Sequence, residues 1–213
     1  MRLILATVSA LTLAVAAPLI ATAQQGHNPQ AAVATVKAGR YTVDGNHTFV
    51  TWTVDHFGFT PLSGMFGGIQ GTLSLDPKNL GKTAVDVTVP VANPLVASDM
   101  FKGHLLHPGE NGEKPTFFGP SPAAAHFVST AVKVTGKTTA DLSGNLTVNG
   151  VTKPVTLSVA FYGAGTSPAA LGGKENVGFT ATTTVKRSDF GLGAYAPYVS
   201  DETELKIVAA FEK

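Results

Sequence analysis

Apolar and polar residues alternate along most of the chain after residue 47, and a period of two is typical of β-strands that have one face in a core. The alternation recurs in about eight stretches, which predicts an all-β domain of antiparallel strands. The apolar rows are Val50, Trp52 and Val54; Leu73 and Leu75; Val85, Val87 and Val89; His126, Val128, Thr130, Val132 and Val134; Leu146 and Val148; Val155, Leu157, Val159 and Phe161; Val177, Phe179, Ala181, Thr183 and Val185; and Leu205, Ile207, Ala209 and Phe211.

Turn sequences separate the alternating stretches. Asp76-Pro77-Lys78-Asn79 and Asn149-Gly150 are both strong turn signals. The second predicts a hairpin between the strand ending at Val148 and the strand that contains Val155. Because an open antiparallel sheet leaves two edges unpaired, and closure into a barrel removes them, we expect these strands to close into a β-barrel.

One segment departs from the alternation. Between Pro94 and Leu106 the apolar residues follow no period of two, and Ser98 is a residue type that caps the start of a helix. This segment is predicted to be a short helix between strands. Two long loops are expected, over residues 108–122, which are rich in glycine and proline, and over residues 163–173.

The first 23 residues have the pattern of a cleaved signal peptide. Arg2 provides a positive charge, residues 3–20 are almost wholly apolar, and Ala21-Thr22-Ala23 is a small-x-small cleavage site. A membrane anchor is the alternative, because the run is almost long enough to span a bilayer. Pro18 and the cleavage site favour removal.

These features predict a domain layout and a location. Residues 1–23 are interpreted as the signal peptide, 24–39 as a flexible arm, and 40–213 as the barrel domain. The mature chain then has no other apolar run that approaches a membrane span. The expected location is a bacterial periplasm.

Composition excludes several function classes. The 15 basic residues balance 14 acidic ones, so the chain lacks the basic footprint of a nucleic-acid-binding protein. It contains no cysteine, which excludes disulfides, thiol catalysis and thiolate metal sites. Neither a Gly-x-Ser-x-Gly elbow nor a phosphate-binding glycine loop is present. The sequence therefore predicts neither an enzyme nor a bound cofactor.

Two histidines suggest an alternative. His104 and His107 are spaced so that one helical face could present both imidazoles to a metal. Pro108 follows immediately and favours a helix end at that point. A metal-dependent enzyme or stress factor that uses this pair is the second hypothesis; separate surface or half-buried histidines are the simpler interpretation.

A hydrophobic pocket is better supported by the pattern. A barrel of about eight strands is the size that side chains can just fill, or that can hold one small ligand. Several aromatic residues adjoin glycine, as in Phe57-Gly58-Phe59 and Phe66-Gly67, and missing side-chain bulk beside large rings leaves space. A solid aromatic core remains equally compatible with this pattern.

Ordered motifs across residues 40–213 resemble the YceI-like family. The matching segments, in order, are Tyr41-Thr42-Val43-Asp44 with His47-Thr48, Val50-x-Trp52-x-Val54-Asp55-His56-Phe57-Gly58-Phe59, Gly64-x-Phe66, Gly103-His104-Leu105, the segment from Leu146 to Val155, Gly178-Phe179-x-Ala181, Lys186-Arg187-Ser188-Asp189-Phe190-Gly191, and Ser200-Asp201. Each motif is short, but the ordered set is specific.

The resemblance implies an extended, eight-stranded, lipocalin-like antiparallel barrel in an exported bacterial protein. It also implies a long apolar cavity for a polyisoprenoid, such as a quinone or a polyprenyl phosphate, or another amphipathic lipid, and no enzymatic activity. The ligand-contacting residues implied are Val50, Trp52, Val54, His56, Phe57, Phe66, His104, Phe179, Ala181, Thr183 and Phe190. Arg187 and Asp189 are candidates for contact with the head group or for a structural pair that braces a turn.

Two features depart from the family pattern. Phe101-Lys102 stands where the family usually has Arg-Asp before the helical His-Leu, and the segment from Leu106 to Pro122 is longer and richer in glycine and proline. No head-group preference is therefore transferred. A homodimer formed through pairing of the last strand, Glu204–Glu212, is a further possibility.

Overall fold

A computed structural model describes residues 33–111 and 113–213 of the 213-residue chain. The predicted signal peptide, 1–23, and residues 24–32 of the predicted arm lie outside the described residues. The remaining arm residues lie against the barrel: Val36 packs on its core, and Lys37 forms an ion pair with Glu175 at 2.7 Å.

Within the described residues the fold consists of ten strands and one α-helix. The strands are β1 (Gly39–Val43), β2 (Phe49–His56), β3 (Thr60–Phe66), β4 (Gln70–Leu75), β5 (Ala84–Val89), β6 (Ala125–Val134), β7 (Thr139–Val148), β8 (Val151–Thr166), β9 (Glu175–Lys186) and β10 (Glu202–Glu212), and the helix is α1 (Asp99–Leu105). The helix lies within the segment predicted for it, and the Ser98 side chain caps it by accepting a hydrogen bond from the Phe101 amide at 3.2 Å.

The strands form a closed antiparallel barrel, as predicted. Eight of them form a ring in the order β1-β4-β5-β6-β7-β8-β9-β10, and pairing of β1 with β10 closes it. The β2–β3 hairpin extends the wall, because β2 pairs with β10 at Glu204–Val208, beyond the residues that pair with β1. The strands β1 and β2 thus follow one another along β10 and act as two halves of one long barrel strand.

Strand direction defines two ends of the barrel. The helix end contains the β2–β3 turn, α1 with its flanking loops, the β7–β8 turn and the β9–β10 connection. The opposite end contains the β4–β5, β6–β7 and β8–β9 connections. Within the described part of the chain, no helix combines the length and the apolar character needed to cross a membrane.

The last strand has no free edge. β10 pairs with β9 over its full length from Glu202 to Glu212, and its other edge is paired with β2 and β1. The suggestion that residues 204–212 could add to the same strand of a second copy is therefore wrong, since both rows of backbone hydrogen-bonding groups are used within the chain.

The predicted inward row on β6 is half wrong. The register between β6 and β7 shifts between Ser129 and Ala131, which marks a bulge. A bulge inserts one residue and reverses the facing of the residues beyond it. Val132 and Val134 face inward as predicted, but before the bulge Ala125 and Phe127 line the interior. His126 instead pairs with Asp86 of the neighbouring strand at 2.7 Å, with both side chains partly exposed.

Candidate functional site

The barrel encloses an apolar cavity of about 820 Å³. This volume lies within the range of roughly 300–1,000 Å³ that is typical of small-molecule sites. Its wall is formed by the inward rows of the strands, and the side chains are almost all aliphatic or aromatic. Central lining residues include Val87 on β5, Leu142 on β7, Leu157 and Val159 on β8, Val185 on β9 and Ile207 on β10.

The interior is not filled by its own side chains. Inward-facing residues such as Leu157, Val159 and Ile207 are only half-buried, although they lie inside a closed wall. A side chain in that position retains accessible surface only where it borders a space large enough to admit a water-sized molecule. One cluster of inward-facing residues is more fully buried, although five of its members also border the cavity; it comprises Tyr41, Val43, Ile69, Leu73, Leu75, Val177 and Phe211. A solid aromatic core is thus excluded for the rest of the barrel.

All but one of the sequence-predicted site residues border this cavity. The residues on the wall are Val50, Trp52, Val54, His56, Phe57, Phe66, His104, Phe179, Ala181, Thr183, Arg187 and Phe190. Asp189 is exposed and is not part of the wall. The structure therefore brings the predicted residues together, while their contact with a ligand stays a prediction.

The Trp52 ring depends on a glycine across the strand pair. Trp52 is registered against Gly64 of β3, and a Cβ atom at position 64 would lie 2.3 Å from Cζ2 of the indole. The ring also contacts Phe66 and Phe101, with centroid distances of 6.5 and 6.3 Å. The absence of a side chain at position 64 lets the indole pack against β3, which leaves space in the barrel centre.

Aromatic side chains surround the cavity at the helix end. The His56 and Phe57 rings meet edge to face at 4.5 Å, and Phe57 contacts Tyr198 at 6.1 Å. On the other side, His104 contacts Tyr195, with ring centroids 5.9 Å apart. Phe57, His104 and Tyr195 are all exposed as well as lining the cavity, so the cavity borders solvent at this end.

Arg187 organises the β9–β10 connection. Its buried guanidinium donates to the backbone carbonyls of the loop it crosses, which are Ser200 at 2.8 Å, Leu192 at 2.5 Å, Ala194 at 2.6 Å and Val199 at 2.6 Å. Burial lowers the pKa of Arg187, and the nearby Asp201 carboxylate partly offsets this effect. Four of its five N–H groups thus bond to backbone carbonyls, which ties the connection together.

The carboxylate that braces this corner is Asp201, which the sequence reasoning had not chosen for that role. Asp201 accepts hydrogen bonds from the Ser188 amide at 2.8 Å and from the Ser188 hydroxyl at 2.6 Å. These bonds favour the ionised form, so they lower the pKa of Asp201 below its ordinary value of 3.8, and Arg187 adds a smaller effect in the same direction.

We expect Asp201→Asn to alter the acid sensitivity of the protein. A carboxyl whose pKa is lowered by folding contributes stability above its unfolded pKa, and this contribution is lost as the pH falls through the folded pKa. The stability difference between wild type and variant should therefore be largest above about pH 4 and shrink at lower pH. Urea unfolding at a series of pH values measures it, with Glu202→Gln as the exposed neighbouring control. A difference that is constant with pH would contradict the assignment.

The two histidines of the metal hypothesis make separate contacts. The His104 ring packs on Phe117 with a centroid distance of 5.2 Å, whereas Nδ1 of His107, beyond the helix end, accepts from the Gly109 amide at 3.2 Å. Among residues 33–111 and 113–213, no group of three or more histidine, aspartate or glutamate side chains is arranged to hold a metal ion.

A cation at the opposite end was missed by the sequence reasoning. Lys137, in the β6–β7 turn, is exposed and borders the cavity together with Thr138. Its position depends on how far β6 and β7 are displaced along the barrel relative to β8, whose Phe161 amide bonds to the Thr138 carbonyl at 2.8 Å. No local sequence signal marks that displacement.

Comparison with protein families and curated proteins gives consistent matches. The family model described as the YceI-like domain matches residues 41–211. A UPF0312 protein of Pseudomonas fluorescens is 37% identical over 164 residues, which is 76% of this chain and 81% of that protein. A UPF0312 protein of Pseudomonas putida is 35% identical, with coverage of 73% and 77%.

Solved structures share the fold at low sequence identity. Burkholderia cenocepacia BcnA has a TM-score of 0.64 and 22% identity, and the match covers 79% of this chain and 98% of that one. The Campylobacter jejuni YCEI protein has a TM-score of 0.61 at 22% identity, with coverage of 75% and 89%. A polyisoprenoid binding domain from Saccharophagus degradans has a TM-score of 0.56 and 13% identity, with coverage of 83% and 99%.

Proposed function

Because this chain belongs to the YceI-like family, we propose that it is an exported binding protein, rather than an enzyme, that holds a polyisoprenoid or a similar amphipathic lipid inside its barrel. The observation that carries the proposal is the unfilled apolar cavity, whose wall is built from the inward rows of the strands. Apolar cavities of this kind stay dry and take up apolar molecules.

Burial of the isoprenoid tail of the ligand in the cavity would supply most of the binding free energy. Each methylene-sized unit moved from water into an apolar interior contributes roughly 0.8 kcal/mol, so several isoprene units offset the cost of ordering the ligand. The hydrophobic effect does not depend on the orientation of the buried group, so the barrel should accept isoprenoid tails of different lengths. A structural relative from Saccharophagus degradans is itself described as a polyisoprenoid binding domain, which supports the proposal by shared fold.

The helix end favours an uncharged head group such as a quinone ring over a phosphate. The cavity there is bordered by Phe57, Phe101, Phe117 and Tyr195, and the Arg187 guanidinium is occupied by backbone carbonyls. An anionic head placed there would have the imidazoles of His56 and His104 as neighbours, but no lysine in the described part of the chain borders the cavity at this end, so the loss of its hydration would be poorly compensated. Lys137 borders the cavity at the opposite end.

Native mass spectrometry of the protein, taken from the periplasmic fraction of its bacterial host, tests export and binding together. We expect a polypeptide mass that begins at Gln24, since cleavage after Ala23 removes the signal peptide. We also expect an added mass that dissociates on activation and that matches an isoprenoid lipid in an organic extract. A mass that retains residues 1–23 would contradict cleavage of a signal peptide, absence of the protein from the periplasmic fraction would contradict export, and an empty barrel in every preparation would contradict lipid binding.

A further inference from the structure

Four aromatic side chains at the helix end are exposed to solvent. Phe59 is 86% exposed, Tyr198 68%, Tyr195 54% and Phe57 48%. We call these four residues the aromatic collar. Rings of this size normally lie in a core or at an interface, since each carries a large apolar area. Four such rings at one end of the barrel therefore indicate a surface that binds another molecule or a membrane.

The aromatic collar is continuous with the cavity. Phe57 and Tyr195 line the cavity and are also exposed, so they belong to both surfaces. Phe57 stacks with Phe59 at 6.3 Å and contacts Tyr198 at 6.1 Å, which links the outer rings to the inner ones. The amide of Phe57 also bonds to the Tyr198 carbonyl at 2.8 Å, and this bond ties the two loops together.

The loops that carry the aromatic collar have no formal charge. The β2–β3 turn at residues 57–59, the two strands that follow it as far as residue 75, and residues 190–199 of the β9–β10 connection contain no aspartate, glutamate, lysine or arginine. In a chain with 29 such residues, these are long uncharged stretches. Insertion of the collar rings among lipid head groups and acyl chains would therefore require no charged residue of these loops to leave water, which is the costly step of membrane insertion. The nearest carboxylate, Asp55, lies at the base of the first loop, where it accepts a hydrogen bond from the Gly58 amide at 2.6 Å.

We propose that the aromatic collar docks on the surface of a lipid bilayer and places the cavity opening against the lipid. Tyrosine is enriched at membrane–water boundaries because its ring is apolar and its hydroxyl is polar, and phenylalanine inserts below it. The inference rests on the proposed function in one respect: a lipid ligand resides in a bilayer, and docking gives its tail an apolar route into the barrel. Because the loops are uncharged, docking does not require anionic lipid.

Vesicle co-sedimentation tests the inference with the full mature chain. The vesicles are phosphatidylcholine alone and phosphatidylethanolamine with phosphatidylglycerol. The test variant is Phe59→Ser with Tyr198→Ser, because these two rings lie outside the cavity wall. The control is Leu171→Ser with Tyr162→Ser, which changes residues that are 74% and 56% exposed and lie near the opposite end. We expect the collar variant to lose about tenfold or more in partitioning to both vesicle types, and the control to match wild type.

A second measurement separates this inference from the proposed function. Each protein receives geranylgeraniol either from ethanol or from loaded vesicles. Equal uptake from ethanol, with slower uptake by the collar variant from vesicles, supports docking. If no protein binds geranylgeraniol but wild type still partitions to vesicles more strongly than the collar variant, bilayer docking by the aromatic collar is supported and isoprenoid binding is contradicted. Equal partitioning of wild type and collar variant, or a wild-type dimer that the collar substitutions dissociate without any vesicle binding, would overturn the inference.

Discussion

Replacement of Arg187 by alanine is expected to lower the free energy of unfolding by about 3–5 kcal/mol, which is the usual cost of breaking a buried charged network. The guanidinium donates to one buried carbonyl, at residue 192, and to three half-buried carbonyls, at residues 194, 199 and 200, and alanine would leave all four without their donor. The β9–β10 connection would lose the group that holds it across the barrel end. Chemical denaturation followed by circular dichroism measures the loss.

Asp189→Ala is the matched control, because Asp189 is two positions away in the same turn but exposed. Its effect should stay within about 0.5 kcal/mol, as for other surface substitutions. Arg187→Lys should retain only part of the stability, since an ammonium lacks the planar fork that reaches several carbonyls at once. Equal losses for Arg187→Ala and Asp189→Ala would refute the structural role given to Arg187.

Ala181→Phe is expected to weaken lipid binding by at least about a hundredfold, or about 2.8 kcal/mol. Ala181 lies midway along β9, registered against Ile207 on β10 and Val159 on β8, and its methyl group borders the cavity. A phenyl ring at this position would occupy space that the proposed tail fills. Calorimetric titration with geranylgeraniol measures the change, since each carbon excluded from the cavity loses its burial free energy.

Thr182→Phe provides the control for Ala181→Phe. Thr182 is the next residue of β9, is exposed, and faces away from the cavity. The same ring is thereby added to the outside of the wall, where it should leave the affinity for geranylgeraniol unchanged. Thermal unfolding of both variants separates a blocked cavity from a damaged fold. A folded Ala181→Phe protein that binds like wild type would show that the ligand does not occupy the barrel centre.

Local alternation predicted most of the barrel because an uninterrupted period of two places one set of side chains on the same face of its strand. The predicted rows line the interior from Val155 to Phe161 on β8, from Phe179 to Val185 on β9 and from Leu205 to Phe211 on β10. On β6 the bulge between Ser129 and Ala131 reverses the facing, and neither residue is unusual enough to mark it. Thr130 was therefore placed in a continuous row that the strand does not have.

The finer features of the site depend on contacts between distant segments. The sequence predicts space beside adjacent aromatic–glycine pairs such as Phe57-Gly58. In the structure, the glycine that accommodates the Trp52 ring is Gly64, which lies on the neighbouring strand. The segment Arg187-Ser188-Asp189-Phe190-Gly191 indicates a corner in which Asp189 would pair with Arg187. The carboxylate in place is Asp201, brought there by the pairing of Glu202 with Lys186.

The position of β10 bears on when the protein can fold. Each of its three partner strands, β1, β2 and β9, precedes it in the chain, and it joins the first part of the barrel to the last. Until residue 212 has emerged from the ribosome the sheet remains an open ribbon, and its most distant pairings must form last. If the protein is exported as proposed, this delay would keep the part of the polypeptide that precedes β10 unfolded enough to pass through a translocation channel.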